Sequence, residues 1–304
     1  MNAQCTSTDQ RYIDRYPSRG ELKAQLLPRT DPVVYSPLDE GSPLSPEQAE
    51  QYERDGFLIL ENVFDSAEVR ACREEMEKLL SERSGDENGE VVAEHGSTDV
   101  RSIFRIHETS DIFRKIASDG RIANIARYLL NDDVYIHQSR LNYKPGFRGR
   151  EFYWHSDFET WHVEDGMPAM RALSASITLT ANNENNGPLM LIPESHKYYV
   201  VCAGQTPVNH FQTSLKKQQY GVPDDRCLSE LVERGGIVTA KCEPGSVVLF
   251  DCNTMHGSNG NITPHPRSNV FYVYNAMSNR LSSPFCGRAP RPEYISARKR
   301  VTPL

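Results

Sequence analysis

A change of periodicity near Val134 limits the possible folds of this chain more than any other feature. Upstream of it, apolar residues recur at helical spacing in Asp65–Arg83 and Asp119–Leu130, and a short apolar run at 56–60 predicts a buried strand. Downstream, turns rich in Asn and Gly separate short β-rich runs. These runs are Val134–Tyr143, Phe152–His155, Leu173–Thr180, Leu189–Ile192, Ile237–Lys241, Ser246–Phe250 and Asn269–Ala276. Short strands that follow a helical part predict a mainly β sandwich or barrel, with supporting helices over one sheet face.

Composition indicates the boundaries of this domain. Residues 1–45 are polar and Pro-rich with few periodic apolar positions, so we expect an extended N-terminal arm over the domain surface. Ser45-Pro46 is typical of a helix start, because serine caps the first turn and proline fits it. Residues 46–304 are therefore predicted to form a single domain with helical support in its N-terminal part. Ser84–Ser97, rich in Gly, Glu and Asp, is predicted to be a surface loop.

Net charge and the lengths of the apolar runs exclude several classes of partner. The chain has 34 Lys and Arg against 41 Asp and Glu, which gives a formal charge of −7. Nucleic-acid binding needs a basic surface to neutralise phosphates, so we expect no nucleic-acid partner. No apolar run approaches the roughly 20 residues of a membrane helix, so we expect no membrane span. The seven cysteines include no CxxC pair and residues 1–19 contain no apolar signal segment, which favours reduced thiols in the cytoplasm.

The segment 152–172 (FYWHSDFETWHVEDGMPAMRA) concentrates metal-ligating and aromatic residues. If His155-Ser156-Asp157 lies on a strand or at its end, the period of two places His155 and Asp157 on the same face. Two ligands on one face can hold a metal ion with little distortion. The spacing alone is a weak signal, because His162-Val163-Glu164 offers a competing pair seven residues later.

A distant histidine supplies a third ligand. His256 follows the apolar strand predicted at Ser246–Phe250, and Arg267 comes eleven residues after it. His155, Asp157 and His256 match the two-His-one-carboxylate set of non-haem Fe(II) oxygenases, which leaves three coordination positions for a co-substrate and O₂. Arg267 can bind the far carboxylate of 2-oxoglutarate as a bidentate fork. Zinc could use the same three ligands, but a zinc site would leave Arg267 without a role.

Several stretches resemble ectoine hydroxylases, a branch of the phytanoyl-CoA dioxygenase superfamily. The segment 152–172 is similar to the long signature of that branch, and the similarity extends over nearly the whole chain. The other similar stretches are Tyr16–Arg19 (YPSR), Asp31–Tyr35 (DPVVY), His137–Asn142 (HQSRLN), Pro193–His196 (PESH) and Met255–Asn261 (MHGSNGN). The resemblance implies a double-stranded β-helix (jelly-roll) core with supporting helices, and a homodimer in the cytoplasm.

The resemblance also implies an activity and its residues. The activity is hydroxylation of ectoine, a compatible solute, to 5-hydroxyectoine with Fe(II), 2-oxoglutarate and O₂, releasing succinate and CO₂. Iron is assigned to His155, Asp157 and His256. The residues assigned to 2-oxoglutarate binding are Arg267, Ser258, Asn142 and Trp154, and those assigned to the ectoine pocket are Gln138, Thr160, Trp161 and Arg291. Tryptophan suits ectoine, because its delocalised amidinium is a cation that an indole face attracts.

Three alternatives stay open at this stage. A 2-oxoglutarate oxygenase could act on another small zwitterion, such as proline. A jelly-roll protein could sense a small ligand without turnover, although it would have no need to keep all three metal ligands and Arg267. A zinc hydrolase would show no dependence on O₂.

Overall fold

The computed structural model describes residues 14–37, 41–83, 89–299 and 301–304. Its strands are β1 (Gln25–Pro28), β2 (Phe57–Leu60), β3 (Val91–Ala93), β4 (Val100–Phe104), β5 (Val134–Lys144), β6 (Phe152–His155), β7 (Ala172–Thr178), β8 (Leu189–Leu191), β9 (Tyr198–Val201), β10 (Val238–Thr239), β11 (Val247–Asp251), β12 (His256–Ser258) and β13 (Arg267–Ala276). Its α-helices are α1 (Pro46–Asp55), α2 (Ser66–Glu82), α3 (Ile106–Thr109), α4 (Asp111–Ala117), α5 (Gly120–Leu130), α6 (Asp157–Thr160), α7 (Phe211–Ser214) and α8 (Asp225–Gly235). A π-helical turn spans Trp161–Asp165, and 3-10 turns span Ser195–Lys197 and Met277–Asn279.

Two antiparallel sheets form the core. The larger sheet has the strand order β2-β11-β7-β13-β5-β4-β3, and the smaller sheet has the order β10-β8-β12-β6. Side chains of both sheets meet in one apolar cluster that includes Leu191 of β8, Phe250 of β11 and Phe271 of β13, so the sheets lie face to face. This arrangement is a double-stranded β-helix, and the predicted mainly β fold with supporting helices is confirmed.

The two faces of the larger sheet differ in polarity. The inner face of β5 carries Gln138, Arg140 and Asn142, while Ile136 packs in the apolar cluster beneath the helices. The β5–β13 register skips His137, which forms a bulge between Gln138 and Ile136. Because a bulge shifts the alternation by one residue, Ile136 stays on the helix side while Gln138 turns inward.

Helices cover the outer face of the larger sheet. The apolar stripes of α2 and α5 pack on this face in one large cluster, and the hydroxyls of Tyr272 and Tyr274 donate to the carbonyls of Phe113 and Ala117 in α4. The predicted helix start at Ser45 is confirmed, because its side chain accepts from the Gln48 backbone N–H in a complete capping box. In the described part of the chain no helix has the length and apolar character needed to cross a membrane.

The N-terminal segment is less peripheral than an arm over the surface. Its strand β1 pairs with β9, as predicted for extended chain, but Tyr16 and Arg19 are only 1% and 3% exposed. Polar composition suggested a surface location, and the structure instead pairs Arg19 with acidic residues far along the chain. Residues 1–13 and 38–40 of the predicted arm lie outside the described residues.

Several short elements escaped the sequence analysis. Within the predicted loop Ser84–Ser97, residues 91–93 form β3, which pairs with β4, and residues 84–88 lie outside the described residues. Helices α3, α4 and α8 and strand β9 were not predicted, and the strand predicted at Ile237–Lys241 is only two residues long. Helix α3 and strand β9 have only four residues each, too few periods for a hydrophobic pattern to be distinguished, whereas α4 and α8, with 7 and 11 residues, are long enough for one.

Candidate metal centre and active site

Two strands and one helix start bring the predicted metal ligands together. His155 ends β6, Asp157 begins α6, and His256 begins β12 directly opposite His155 in the β6–β12 register. One ligand atom from each of the three lies within 4.8 Å of the others. The side chains of His155, Asp157 and His256 are 12%, 10% and 5% exposed. Within the described residues, no other group of His, Cys, Asp and Glu meets this geometry.

Hydrogen bonds orient both imidazoles toward a common point. Nδ1 of His155 lies 2.6 Å from the carbonyl of Tyr153, and Nδ1 of His256 lies 2.9 Å from that of Thr254. A carbonyl can only accept, so both Nδ1 atoms carry the proton and both Nε2 lone pairs remain for a metal. These Nε2 atoms lie 3.7 and 3.9 Å from the two carboxylate oxygens of Asp157.

The protonation states of the ligands suit a divalent cation. Burial and the neighbouring His256 lower the pKa of His155 to about 4, so its imidazole is neutral at pH 7. Burial alone would raise the pKa of Asp157, but the adjacent imidazoles of His256 and His155 and the guanidinium of Arg140 keep it below its ordinary value. Ser174 also donates to Asp157 Oδ2 over 3.2 Å. Neutral imidazoles and an ionised carboxylate are the forms that bind Fe(II) or Zn(II).

The competing pair has other partners. His162 Nε2 lies 2.8 Å from Asp14 Oδ1, and its Nδ1 lies 2.7 Å from the carbonyl of Met167. Glu164 accepts from Arg19 and lies 2.7 Å from His210 Nδ1. These residues therefore belong to a buried hydrogen-bond network and not to the metal cluster.

The residue predicted to bind the co-substrate carboxylate, Arg267, is a buried guanidinium. Arg267 is 4% exposed, its Nη1 donates to Asn269 Oδ1 over 3.3 Å, and its Nε has no partner. Among the described residues no carboxylate lies within 4.0 Å of it, and burial lowers its pKa to about 10. Asn142 is paired with Asn269 in the β5–β13 register and so shares this inner face. A buried cation without a carboxylate partner fits an anionic ligand such as 2-oxoglutarate.

Ser258 and Trp154, the other two residues predicted to bind 2-oxoglutarate, lie in different surroundings. Ser258 ends β12, two residues after His256, and is 4% exposed. Trp154 precedes His155 on β6 and packs against a separate apolar cluster with Met255. Its ring atoms lie 3.3–3.4 Å from where a Cβ on Gly257 would be. The structure therefore places Trp154 behind the β12 backbone, with its indole away from the metal ligands.

The residues predicted for the substrate line a cleft beside the metal ligands. This cleft is lined by His155 and Asp157 together with Gln138, Thr160, Trp161 and Arg291. Thr160 Oγ1 is buried without a hydrogen-bond partner, and Trp161 is 3% exposed. Gln138 Nε2 donates to the carbonyl of Ile295, which leaves its amide oxygen for a ligand. The structure brings these four predicted residues together.

Sequence reasoning missed one residue of this cleft. Arg140 lies on the inner face of β5, lines the cleft, and stands 5.1 Å from the ring centroid of Phe271. Its Nε has no partner, and burial lowers its pKa. The alternation Gln138, Arg140, Asn142 along β5 was the signal that could have found it, because two of these three were already predicted site residues.

Arg291 is held by a buried ion pair that makes a pH prediction possible. Its Nε and Nη2 donate to the two oxygens of Asp165 over 2.8 and 2.5 Å. Burial would raise the pKa of Asp165, but Arg291 and His137 lower it from 3.8 to about 2. A carboxylate with a depressed folded-state pKa stabilises the fold above its unfolded pKa and loses that contribution as pH falls toward the folded one.

We therefore expect Asp165 to contribute about 2 kcal/mol to the free energy of unfolding at pH 6, and less as pH falls from about 4 to about 2. Urea unfolding of the wild type and Asp165→Asn at pH 6 and pH 3 measures this. The difference between them should shrink at pH 3. An equal difference at both pH values would contradict the assignment of the shift to Asp165.

A family comparison agrees with this fold and site. The family model for phytanoyl-CoA dioxygenase (PhyH) matches residues 52–269. This span contains the three metal ligands and Arg267, and the chain belongs to the phytanoyl-CoA dioxygenase family. Solved structures at lower identity show the same fold, such as the non-haem α-ketoglutarate-dependent carbocyclase SnoK at 20% identity and a TM-score of 0.59, covering 77% of this chain and 84% of that chain.

Within this family the chain is similar to ectoine dioxygenases. It is 55% identical to the ectoine dioxygenase of Sphingopyxis alaskensis, covering 94% of this chain and 93% of the relative. It is 53% identical to that of Stutzerimonas stutzeri, covering 96% of both. The crystal structure of EctD from S. alaskensis with 2-oxoglutarate and 5-hydroxyectoine matches with a TM-score of 0.85 and 50% identity, over 94% of this chain and 95% of that one.

Proposed function

We propose that this chain is an Fe(II)- and 2-oxoglutarate-dependent dioxygenase that hydroxylates ectoine to 5-hydroxyectoine, with release of succinate and CO₂. The observation that carries the proposal is the convergence of His155, Asp157 and His256 in a fold that also buries Arg267 without a carboxylate partner among the described residues. The ectoine dioxygenases at 53–55% identity over nearly the whole chain support the choice of substrate.

The chain provides residues for the metal and for the co-substrate. His155, Asp157 and His256 would hold Fe(II), and Arg267 with Ser258 would bind the distal carboxylate of 2-oxoglutarate. When bound, iron and 2-oxoglutarate supply the activation of O₂ that inserts one oxygen atom into a substrate C–H bond. No side chain need act as an acid or base at that carbon, so the protein's task is to position the substrate and to exclude water.

Ectoine carries a carboxylate and a delocalised amidinium, and the cleft offers a group for each. Arg140 is half-buried, its Nε is buried without a hydrogen-bond partner, and no carboxylate among the described residues forms an ion pair with it, which fits the ectoine carboxylate. The indole of Trp161 can bind the amidinium, an interaction of about 0.5–2 kcal/mol. The unpartnered hydroxyl of Thr160 and the amide oxygen of Gln138 can accept hydrogen bonds from ectoine.

Anaerobic reconstitution tests the proposal. The protein is loaded with Fe(II), mixed with 2-oxoglutarate and ectoine, and exposed to O₂, and the product mass is measured. A gain of one oxygen atom by ectoine that requires Fe(II), 2-oxoglutarate and O₂ supports the proposal. Zinc loading and omission of O₂ separate it from a zinc hydrolase, and succinate release across a panel that includes proline separates it from an oxygenase of another zwitterion. Succinate release that ectoine does not stimulate would contradict it.

Arg140→Met is expected to raise the KM for ectoine about 30-fold or more, because removing one partner of a buried charge pair costs about 2 kcal/mol or more. The KM for 2-oxoglutarate should change little, since Arg267 remains. Steady-state kinetics with each substrate varied in turn measure both values. Arg140→Lys is the control, because lysine keeps the charge but lacks the planar fork. Its KM for ectoine should lie between those of the wild type and Arg140→Met. An unchanged ectoine KM in Arg140→Met would remove Arg140 from the substrate site.

We also propose that the protein is a homodimer in the cytoplasm. The resemblance to ectoine hydroxylases supports the dimer, and light scattering coupled to size exclusion tests it. The described cysteines, Cys72, Cys202, Cys227, Cys242, Cys252 and Cys286, are all free, which supports a reducing compartment.

A further inference from the structure

Arg19, from the N-terminal segment, is a buried charge outside the metal centre that pairs with two carboxylates. Its Nε and Nη2 donate to the two oxygens of Glu159 over 2.9 and 2.7 Å. Its Nη1 donates to Glu164 Oε1 over 2.6 Å and to Thr206 Oγ1 over 3.0 Å. One guanidinium therefore joins the N-terminal segment, the turn at 157–165 and the segment that begins near Thr206.

The two carboxylates that it binds bracket the substrate side of the site. Glu159 lies between the metal ligand Asp157 and Thr160, and Glu164 lies three residues after Trp161. The side chains of Glu159 and Glu164 are 1% and 5% exposed. Fixing both carboxylates to one planar group holds the whole turn in one orientation relative to the iron ligands.

The same network reaches a segment at the mouth of the cleft. His210 Nδ1 lies 2.7 Å from Glu164 Oε1. Gly221 has a φ of +69°, and a Cβ there would lie 2.4 Å from Glu159 Oε2 and 2.5 Å from Arg19 Nη2. Between these two anchors, the residues that line the cleft are Ser214, Leu215 and Gln218. The segment 206–221 thus meets this network at both ends, through the contact of His210 with Glu164 and through the close packing of Gly221 against Glu159 and Arg19.

The backbone around Arg19 is held in an uncommon conformation. Its φ is +67°, in the left-handed region that non-glycine residues rarely adopt. Hydrogen bonds to neighbouring backbone hold it there, from Arg19 N to the Cys202 carbonyl over 2.8 Å and from Gly20 N to the Gly204 carbonyl over 2.7 Å. Strained non-glycine residues persist where the surroundings over-determine them, and they concentrate at functional sites.

We propose that Arg19 is a positioning residue for ectoine, an inference that rests on the proposed function. It holds the turn with Thr160 and Trp161 against the segment at the cleft mouth, so that the reacting carbon stays beside the iron while O₂ is activated. Loss of this constraint loosens the substrate without removing any metal ligand. Oxygen activation then continues while fewer cycles end in hydroxylation of ectoine.

Arg19→Met tests this inference through the coupling of the two half-reactions. We expect the ectoine KM to rise on the order of tenfold, and the ratio of 5-hydroxyectoine to succinate to fall about twofold or more. Fe(II) binding and the KM for 2-oxoglutarate should stay within about twofold of the wild type, because neither binding set includes Arg19. Arg19→Lys should recover part of the ratio, since lysine keeps the charge but cannot bind two carboxylates as a fork.

Arg29→Met is the matched control. Arg29 lies in the same N-terminal segment, its side chain is 3% exposed, and it forms an ion pair with Asp251 over 2.7 Å, without contact to the turn at 157–165. The Arg29→Met variant should have a lower Tm and an unchanged ratio of 5-hydroxyectoine to succinate. Gly221→Ala is a second variant in case Arg19→Met does not fold, because its methyl group displaces the network while every charge remains.

Three outcomes decide the matter. A lowered ratio in Arg19→Met or Gly221→Ala, with a wild-type ratio in Arg29→Met, supports the positioning role. Wild-type KM and ratio in the folded Arg19 and Gly221 variants, or the same loss in Arg29→Met, would overturn it and leave the proposed function intact. Absence of ectoine-dependent succinate release from the wild type would overturn both.

Discussion

His155→Ala is expected to abolish iron binding at micromolar Fe(II) and, with it, ectoine-dependent turnover. Loss of a residue that only orients a ligand lowers metal affinity about 10- to 100-fold, so loss of a ligand itself should cost more than about 100-fold. Only two protein donors, Asp157 and His256, would remain for the metal ion in this variant. Anaerobic titration with Fe(II) and 2-oxoglutarate, followed by optical absorption and metal analysis, measures the affinity.

Two other histidines are controls for this experiment. His265 is exposed, so His265→Ala should bind iron like the wild type. His162 belongs to the competing pair and lies 2.8 Å from Asp14, so His162→Gln should lower Tm but keep the iron. Iron binding that survives in His155→Ala and disappears in His162→Gln would show that the wrong pair was assigned.

Arg267→Met is expected to raise the KM for 2-oxoglutarate about 30-fold or more, because the loss of one partner of a buried charge pair costs about 2 kcal/mol or more. The same change should raise the Tm of the protein without ligands. Burial lowers the pKa of Arg267 to about 10, which means that its charge is costly in the ligand-free fold. Removing that charge removes the cost while leaving an apolar side chain of similar length. Kinetics and thermal unfolding together measure these opposite effects.

The effect of the co-substrate on Tm provides the internal control. In the presence of Fe(II), 2-oxoglutarate should raise the Tm of the wild type, since a ligand that binds only the folded state stabilises it. It should raise the Tm of Arg267→Met much less at the same concentration. A variant that keeps the wild-type KM for 2-oxoglutarate, or that unfolds at a much lower temperature, would indicate that Arg267 is structural.

The mainly β fold class could be predicted from local patterns, whereas the candidate metal ligands needed the distant His256 as well. The period of two put His155 and Asp157 on one face, and the structure places them at the junction of β6 and α6 with His256 opposite. The change from helical to β periodicity near Val134 predicted a mainly β sandwich or barrel with helical support, and the resemblance to ectoine hydroxylases implied the jelly roll that the structure shows. Long, periodic elements such as α2, α5, β5 and β13 were found because many residues contribute to each pattern.

The same alternation bears on the position of Trp154, which the resemblance assigns to 2-oxoglutarate binding, and on the omission of Arg140. Trp154 adjoins His155, so if one points toward the cleft the other points away, and the structure places the indole behind β12. Arg140 shares the inner face with Gln138 and Asn142, and the structure places it in the cleft. The bulge at His137 sets which residues of β5 face inward, and a bulge depends on pairing with another strand.

The sequence by itself determined the kind of fold, because alternation and helical spacing are properties of neighbouring residues, and it named His155, Asp157 and His256 as candidate metal ligands. Only the tertiary structure decided that the buried Arg267 and the half-buried Arg140 have no carboxylate partner among the described residues, and that Arg19 reaches Glu159 and Glu164. The reason is physical. Whether a charge is paired depends on which distant segments meet around it, and contacts between distant segments leave no periodic pattern in the sequence.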